Sequence, residues 1–144
     1  MKILASIDLS DSSKIVGEFA KTLAGACSAK LWLLHVAAPD PDFVGYDVDT
    51  KTMRDVVAER FHKEHQTLHR LAEEFRSAGL DCTALLIQGA TVETILSQAE
   101  KLAPDMILLG SHGKGLIKQL LIGSTSEAVL HQSKIPVLIV PTRG

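Results

Sequence analysis

Five short apolar runs constrain this chain more than any other feature, and the first four are each followed by a segment with helical periodicity. The runs are residues 3–7 (ILASI), 31–36 (LWLLHV), 83–87 (TALLI), 106–109 (MILL) and 137–140 (VLIV). They are near-continuous in apolar character, as parallel strands covered on both faces are. Helical patterns occupy residues 11–27, 52–78 and 91–102, and a last helix begins near Ser124. Strand–helix alternation at these lengths predicts an α/β fold, an open five-stranded parallel sheet with helices on both faces. Ligands of such sheets bind beyond the carboxyl ends of the strands, where the strand order reverses. Asp8, Val36 and Gly110 all stand at predicted carboxyl ends.

The helices carry start and stop signals. Ser10 and Asp11 are both candidate N-caps of the first helix, whose stripe Ile15, Phe19, Leu23 and Cys27 is expected to be buried. In the second, Met53, Val57, Phe61, Leu68, Leu71 and Phe75 line one face, and Gly79 ends it in a left-handed conformation. Val92, Ile95, Leu96 and Ala99 face inward from the third, which Pro104 stops. Ser124 and Glu127 have the spacing of a capping box.

The chain's 144 residues suit one domain, 1–144, and its net charge of −2 argues against a nucleic-acid or membrane-surface binder. No apolar run approaches a membrane span, and the first residues are too short and too polar for a signal peptide. A cytoplasmic protein is expected. Cys27 and Cys82 lack metal-ligand spacing and are expected to be free thiols.

Chemistry concentrates between the fourth apolar run and the last helix. Gly110-Ser111-His112-Gly113 is followed, nine residues later, by Gly123-Ser124. Small residues let a ligand approach the backbone, and a helix start offers amides to an anion. Together they describe a phosphate cradle. It is not a Walker A loop, since Gly113-Lys114 is followed by Gly115, and it is not a dinucleotide fingerprint, since Lys118 stands where the last glycine belongs.

The spacing resembles the ATP-binding motif of the universal stress protein family. So do the opening Ile7-Asp8-Leu9-Ser10, the strand end His35-Val36, the run from Asp105 to Gly113, and the closing segment from Pro136 to Pro141. The resemblance covers essentially the whole chain. It implies strand order 3-2-1-4-5 in an adenine-nucleotide alpha hydrolase-like fold, and a nucleotide-dependent regulator or sensor in the stress response. It also implies site residues. Ser6 and Asp8 line the nucleoside pocket, Val36 meets adenine, and Leu109 and Gly110 flank adenine and ribose. Gly113, Gly123, Ser124 and Thr125 hold the phosphates. The implied ligand is ATP, with AMP as the alternative and Mg2+ as a candidate ion on the phosphates. A homodimer through the last strand, bracketed by Pro136 and Pro141, is implied as well.

Structural alternatives stand beside these roles. Gly110 and Gly113 also suit a tight turn, Ser124 a helix cap, and Asp8 a cap of the first helix. His112, in the phosphate turn, is read as a binding or turn residue. Lys114 and Lys118 are read as solvated, and Leu116, Ile117, Leu120 and Leu121 as an apolar face folded onto the sheet end. His62, His65 and His69 are read as exposed histidines on a polar flank, not as metal ligands. Glu64 falls on an apolar stripe, so it should snorkel or find a partner at a contact. Asp40, Asp42, Asp47 and Asp49 lie in a long connection without an EF-hand pattern. No nucleophile–base pair, Walker aspartate or arginine finger is identifiable, so binding is favoured over catalysis. A slow ATPase, another nucleotide-processing enzyme and a nucleotide-free interaction module remain the alternatives.

Overall fold

The computed structural model describes residues 1–39, 50–112 and 122–142. The four loop aspartates, Gly113, Lys114, Leu116, Ile117, Lys118, Leu120 and Leu121 lie outside the described residues. In chain order the elements are β1 (Lys2–Ser6), α1 (Asp11–Cys27), β2 (Lys30–Ala37), α2 (Thr50–Ser77), β3 (Asp81–Gln88), α3 (Thr91–Leu102), β4 (Met106–Gly110), α4 (Ser124–Gln132) and β5 (Val137–Val140). The strands form one parallel sheet in the order β3-β2-β1-β4-β5, as expected.

Alternation within each strand divides the core in two. Ile3, Ala5, Leu31, Leu33 and Leu108 point to one face, where they pack with Val16, Ala20 and Ala24 of α1 and Leu68, Ala72 and Phe75 of α2. Leu4, Trp32, Leu34, Ile107 and Leu109 point to the other, against Ile95 and Ala99 of α3 and Val129 of α4. β2 and β3 run past their apolar runs because Lys30 pairs in register with Asp81. Their side chains lie 3.5 Å apart, and the lysine also covers the Trp32 ring at 5.4 Å.

The stop signals are realised. Gly79 has φ 90°, and the Leu80 amide reaches back to the Phe75 carbonyl at 3.1 Å, a left-handed helix end. Ala103, before Pro104, closes α3 in the same conformation with φ 47°. The face of α1 is a correction. Ile15 and Phe19 are each 41% exposed, Cys27 is exposed and Leu23 only half-buried. The buried residues are Val16, Gly17, Ala20 and Ala24. Small side chains win because α1 sits close to both the sheet and α2; a Cβ on Gly17 would already touch Leu71 and Phe75 at 3.9 Å. On α2 the expected stripe faces inward except for exposed Phe61.

Phe75 is among the largest fully buried side chains. Phe75→Ala should destabilise by about 3–5 kcal/mol, read from chemical denaturation. Both cysteines are free thiols, Cys27 exposed and Cys82 buried. Burial pushes the Cys82 thiol up to about 11, against a smaller downward pull from Arg76. A raised value keeps it protonated at neutral pH, so a thiol reagent should modify Cys27 quickly and Cys82 only after unfolding. Equal labelling rates in the native protein would contradict this burial.

Candidate functional site

The strand order reverses between β1 and β4, and the carboxyl ends of β1, β2 and β4 meet there. At the end of β1 the Ile7 amide still donates to the Leu34 carbonyl at 2.9 Å. The chain then turns sharply. Leu9 takes a left-handed conformation with φ 59°, which costs a leucine about 1–2 kcal/mol. The Asp8 carboxylate compensates: its Oδ1 accepts from the Ser10 amide at 3.0 Å and from the Ser10 hydroxyl at 2.5 Å. Ser10 holds the N-cap position of α1 without a side-chain cap bond, and Asp11 pairs with Lys14 at 3.0 Å. Asp8 therefore shapes the turn into α1 and is not its cap residue.

At the end of β4 the partners are local and dense. The Ser111 amide donates to the Val140 carbonyl at 2.8 Å, and the Gly123 amide donates to the Ser111 carbonyl at 2.6 Å. The Ser126 hydroxyl donates to the Gly110 carbonyl at 2.6 Å. The buried Ser111 hydroxyl lies 2.9 Å from His112 Nδ1 and 3.2 Å from Thr142 Oγ1, and it accepts from the Thr142 amide at 3.0 Å. The His112 amide donates to Thr142 Oγ1 at 3.2 Å.

These bonds decide where α4 starts. Gly123, held extended by its bond to Ser111, takes the N-cap position, and no side chain caps the helix. The expected capping box is thus not formed. The Glu127 amide donates to the Gly123 carbonyl at 2.9 Å, and its carboxylate lies 3.9 Å from His131 Nε2 instead. Ser124, Thr125 and Ser126 make the first turn, whose amides have no acceptor within the helix ladder.

A cavity of about 280 Å³ opens at this junction. Of the nine expected site residues, Ser6, Asp8, Val36, Leu109, Gly110, Gly123, Ser124 and Thr125 all line it. Gly113 is outside the described residues. His112 lines it as well. Sequence reasoning missed Ile7, Ser13, Val16, His35, Thr91 and Ser126, which share the lining. His35 had a signal, as the one ionisable residue inside an apolar strand run. Ser13, Thr91 and Ser126 had none, because isolated serines and threonines at helix starts are common. A second hollow, of about 320 Å³, lies between α3 and the connection from α4 to β5, away from the strand carboxyl ends.

The two described glycines of the cradle are needed for chain packing. A Cβ on Gly110 would stand 3.0 Å from both Val16 and Thr142, and one on Gly123 would stand 3.2 Å from the Ser111 carbonyl. Neither has a positive φ. Elsewhere, His62, His65 and His69 are exposed on α2, with the His65 and His69 rings 4.2 Å apart. Among the described residues no group of three or more His, Cys, Asp or Glu is placed to hold a metal ion. Among them, too, no helix is long and apolar enough to cross a membrane.

The profile of the Universal stress protein family matches residues 1–141. A Thermus aquaticus relative, the universal stress protein encoded in the QAH/OAS sulfhydrylase 3′ region, is 32% identical over 140 residues, covering 96% of each chain. The solved structure of MJ0577, a universal stress protein of Methanocaldococcus jannaschii, superposes with a TM-score of 0.86 at 26% identity, covering 99% of this chain and 96% of that one. Two more distant structures share the fold. One is a universal stress protein in complex with cAMP, at 24% identity and a TM-score of 0.66, covering 99% of this chain and 98% of its own. The other is the Archaeoglobus fulgidus protein in complex with dAMP, at 19% and 0.65, covering 96% of both chains. With the family profile matching residues 1–141 and a relative 32% identical over 96% of both chains, this chain belongs to the universal stress protein family.

Proposed function

We propose that this protein binds an adenine nucleotide at the β1/β4 reversal, with ATP as the main ligand and AMP as the alternative, and acts as a nucleotide-dependent regulator or sensor in the stress response. One observation carries the proposal: the uncapped first turn of α4 opens into the same cavity as Asp8, Val36 and Leu109. An apolar wall beside a set of unpaired helix-start amides is the chemistry an adenosine phosphate requires. Val36 and Leu109 would hold the base and Ser6 and Asp8 the ribose side. The backbone at Gly110, Gly123, Ser124 and Thr125, with Gly113, would hold the phosphates. Mg2+ would bind through the phosphates, keeping water ligands. The cAMP and dAMP complexes of distant relatives agree with an adenine ligand.

Binding is favoured over turnover by the state of the Ser111–His112 contact at this site. The Ser111 hydroxyl is buried among His112 and both Thr142 groups, so it holds β4 to the chain after β5 and does not face a ligand as a nucleophile would. β5 is an edge strand of the sheet. Its outer backbone groups suit pairing with a second copy, and a homodimer is proposed on that basis.

ATP or AMP at a hundredfold its dissociation constant should stabilise the fold by about 2.7 kcal/mol, read as a thermal shift. No shift with either nucleotide would instead favour a nucleotide-free interaction module. Ser124→Pro is the sharper probe. Proline is tolerated at the first helical position, and Gly123 before it is already extended at ψ 156°. The variant should keep its fold and its affinity for adenosine, yet lose roughly tenfold or more in affinity for ATP, about the worth of one hydrogen bond to a charged group. Unchanged ATP affinity in the folded variant would remove Ser124 from the cradle. Sedimentation equilibrium should report twice the 15.5 kDa chain mass, and a monomer at micromolar concentration would discard the dimer.

A further inference from the structure

His35 is buried at the carboxyl end of β2, only 5% exposed, between β1 and α2. Its Nδ1 lies 2.9 Å from the Ile7 carbonyl oxygen. Its Nε2 lies 3.3 Å from Oε2 of Glu64 on α2, whose side chain is 20% exposed. The second contact is close but poorly aligned, so both buried atoms lack a completed hydrogen bond among the described residues.

Counting protons shows what this arrangement requires. A carbonyl oxygen only accepts, so Nδ1 must carry a hydrogen to bond Ile7. A neutral imidazole has one N–H, and its Nε2 then points a lone pair at the carboxylate. Two acceptors 3.3 Å apart repel, so the contact is attractive only when a further proton sits on Nε2 or on Oε2. Loss of that proton leaves two arrangements. In one, the ring keeps Ile7 and is pushed by Glu64. In the other, it gives its single hydrogen to Glu64 and leaves the Ile7 carbonyl without its imidazole partner, which is costly for a buried group.

We propose that His35, clamped between the Ile7 carbonyl and Glu64, is a proton-dependent positioning residue that sets nucleotide affinity by fixing the turn that carries Asp8. It rests on the nucleotide function proposed above. The lever is short. Ile7 directly precedes Asp8, which stabilises the left-handed Leu9 through its bonds to Ser10. Through Glu64 the turn is also tied to α2. Other ionisable groups lining the same cavity are Asp8 and His112. β3 sets Leu86 in register beside His35, and α1 brings Ser13 and Val16 to the cavity. The sign follows from the count: the clamp is complete with the proton bound, so nucleotide affinity falls as pH rises and the proton leaves.

The test compares the parent with Glu64→Gln and His35→Asn. Glutamine donates an N–H to the Nε2 lone pair and needs no extra proton. Asparagine keeps a donor for Ile7 and drops the contact with α2. AMP affinity is measured by calorimetry from about pH 5.5 to about pH 8.5. The parent-to-variant ratio at each pH cancels proton effects on the nucleotide phosphate and elsewhere in the protein. The parent should weaken across the range by roughly fivefold more than either variant, the low end of coupling between sites. In the parent alone, the amide resonances of Ile7, Asp8 and Ser10 should move together with the His35 ring as pH changes. Parallel profiles of the parent and folded Glu64→Gln would overturn the inference. So would amide resonances that do not move with the His35 ring resonances, whether or not nucleotide binds or the variants fold. A parent that binds no nucleotide at any pH would instead overturn the proposed function, and with it the claim about affinity.

Discussion

Where a parallel sheet stops pairing, each strand end leaves backbone N–H and C=O groups that must find partners away from water. The whole candidate site is a solution to that requirement at the reversal between β1 and β4. The Ile7 carbonyl is taken by His35, the Gly110 carbonyl by the Ser126 hydroxyl, and the Ser111 carbonyl by the Gly123 amide. Each bond joins elements far apart in sequence, and each fixes a segment that lines the cavity. The Gly123 bond also places a glycine at the N-cap of α4. Glycine has no side-chain oxygen to accept from the first-turn amides, so they begin the helix uncapped.

Close approach of the chain to itself is the second requirement, and it explains the glycines. Gly110 lets Val16 and Thr142 come within 3.0 Å of where its Cβ would be. The same economy of side chain shapes α1, where Val16, Gly17, Ala20 and Ala24 are buried while Ile15 and Phe19 stay outside. A bulkier inner face would hold α1 away from β4, and the cavity wall at Val16 would be lost. Gly110 and Gly123 are therefore packing devices first, and the cavity beside them is a result of that packing.

Much of the fold was legible because it depends on local periodicity. The five runs, their order in the chain and the stops at Gly79 and Pro104 follow from residues near one another in sequence. Strand ends shifted by a residue or two, as at Lys30 and Asp81, because pairing across strands extends them beyond their apolar runs. The burial face of α1 was misread because large apolar residues outweigh alanine and glycine in any periodicity argument, while the space beneath the helix favours the small ones. The capping box was misread for a similar reason. Its spacing is a local signal, and a bond from Gly123 to a strand end overrode it.

Sequence by itself determined the strand–helix alternation, the end of the sheet at which the candidate site residues lie, and eight residues that share one cavity. These rest on hydrophobic patterning and on the backbone preferences of glycine and proline, which act within a few residues. Tertiary structure alone decided that His35 meets Glu64, that Ser126 and Thr142 tie down the end of β4, and which face of α1 is buried. Those contacts join positions 16 to 31 residues apart, and such pairings exist only once the sheet has brought its strand ends together.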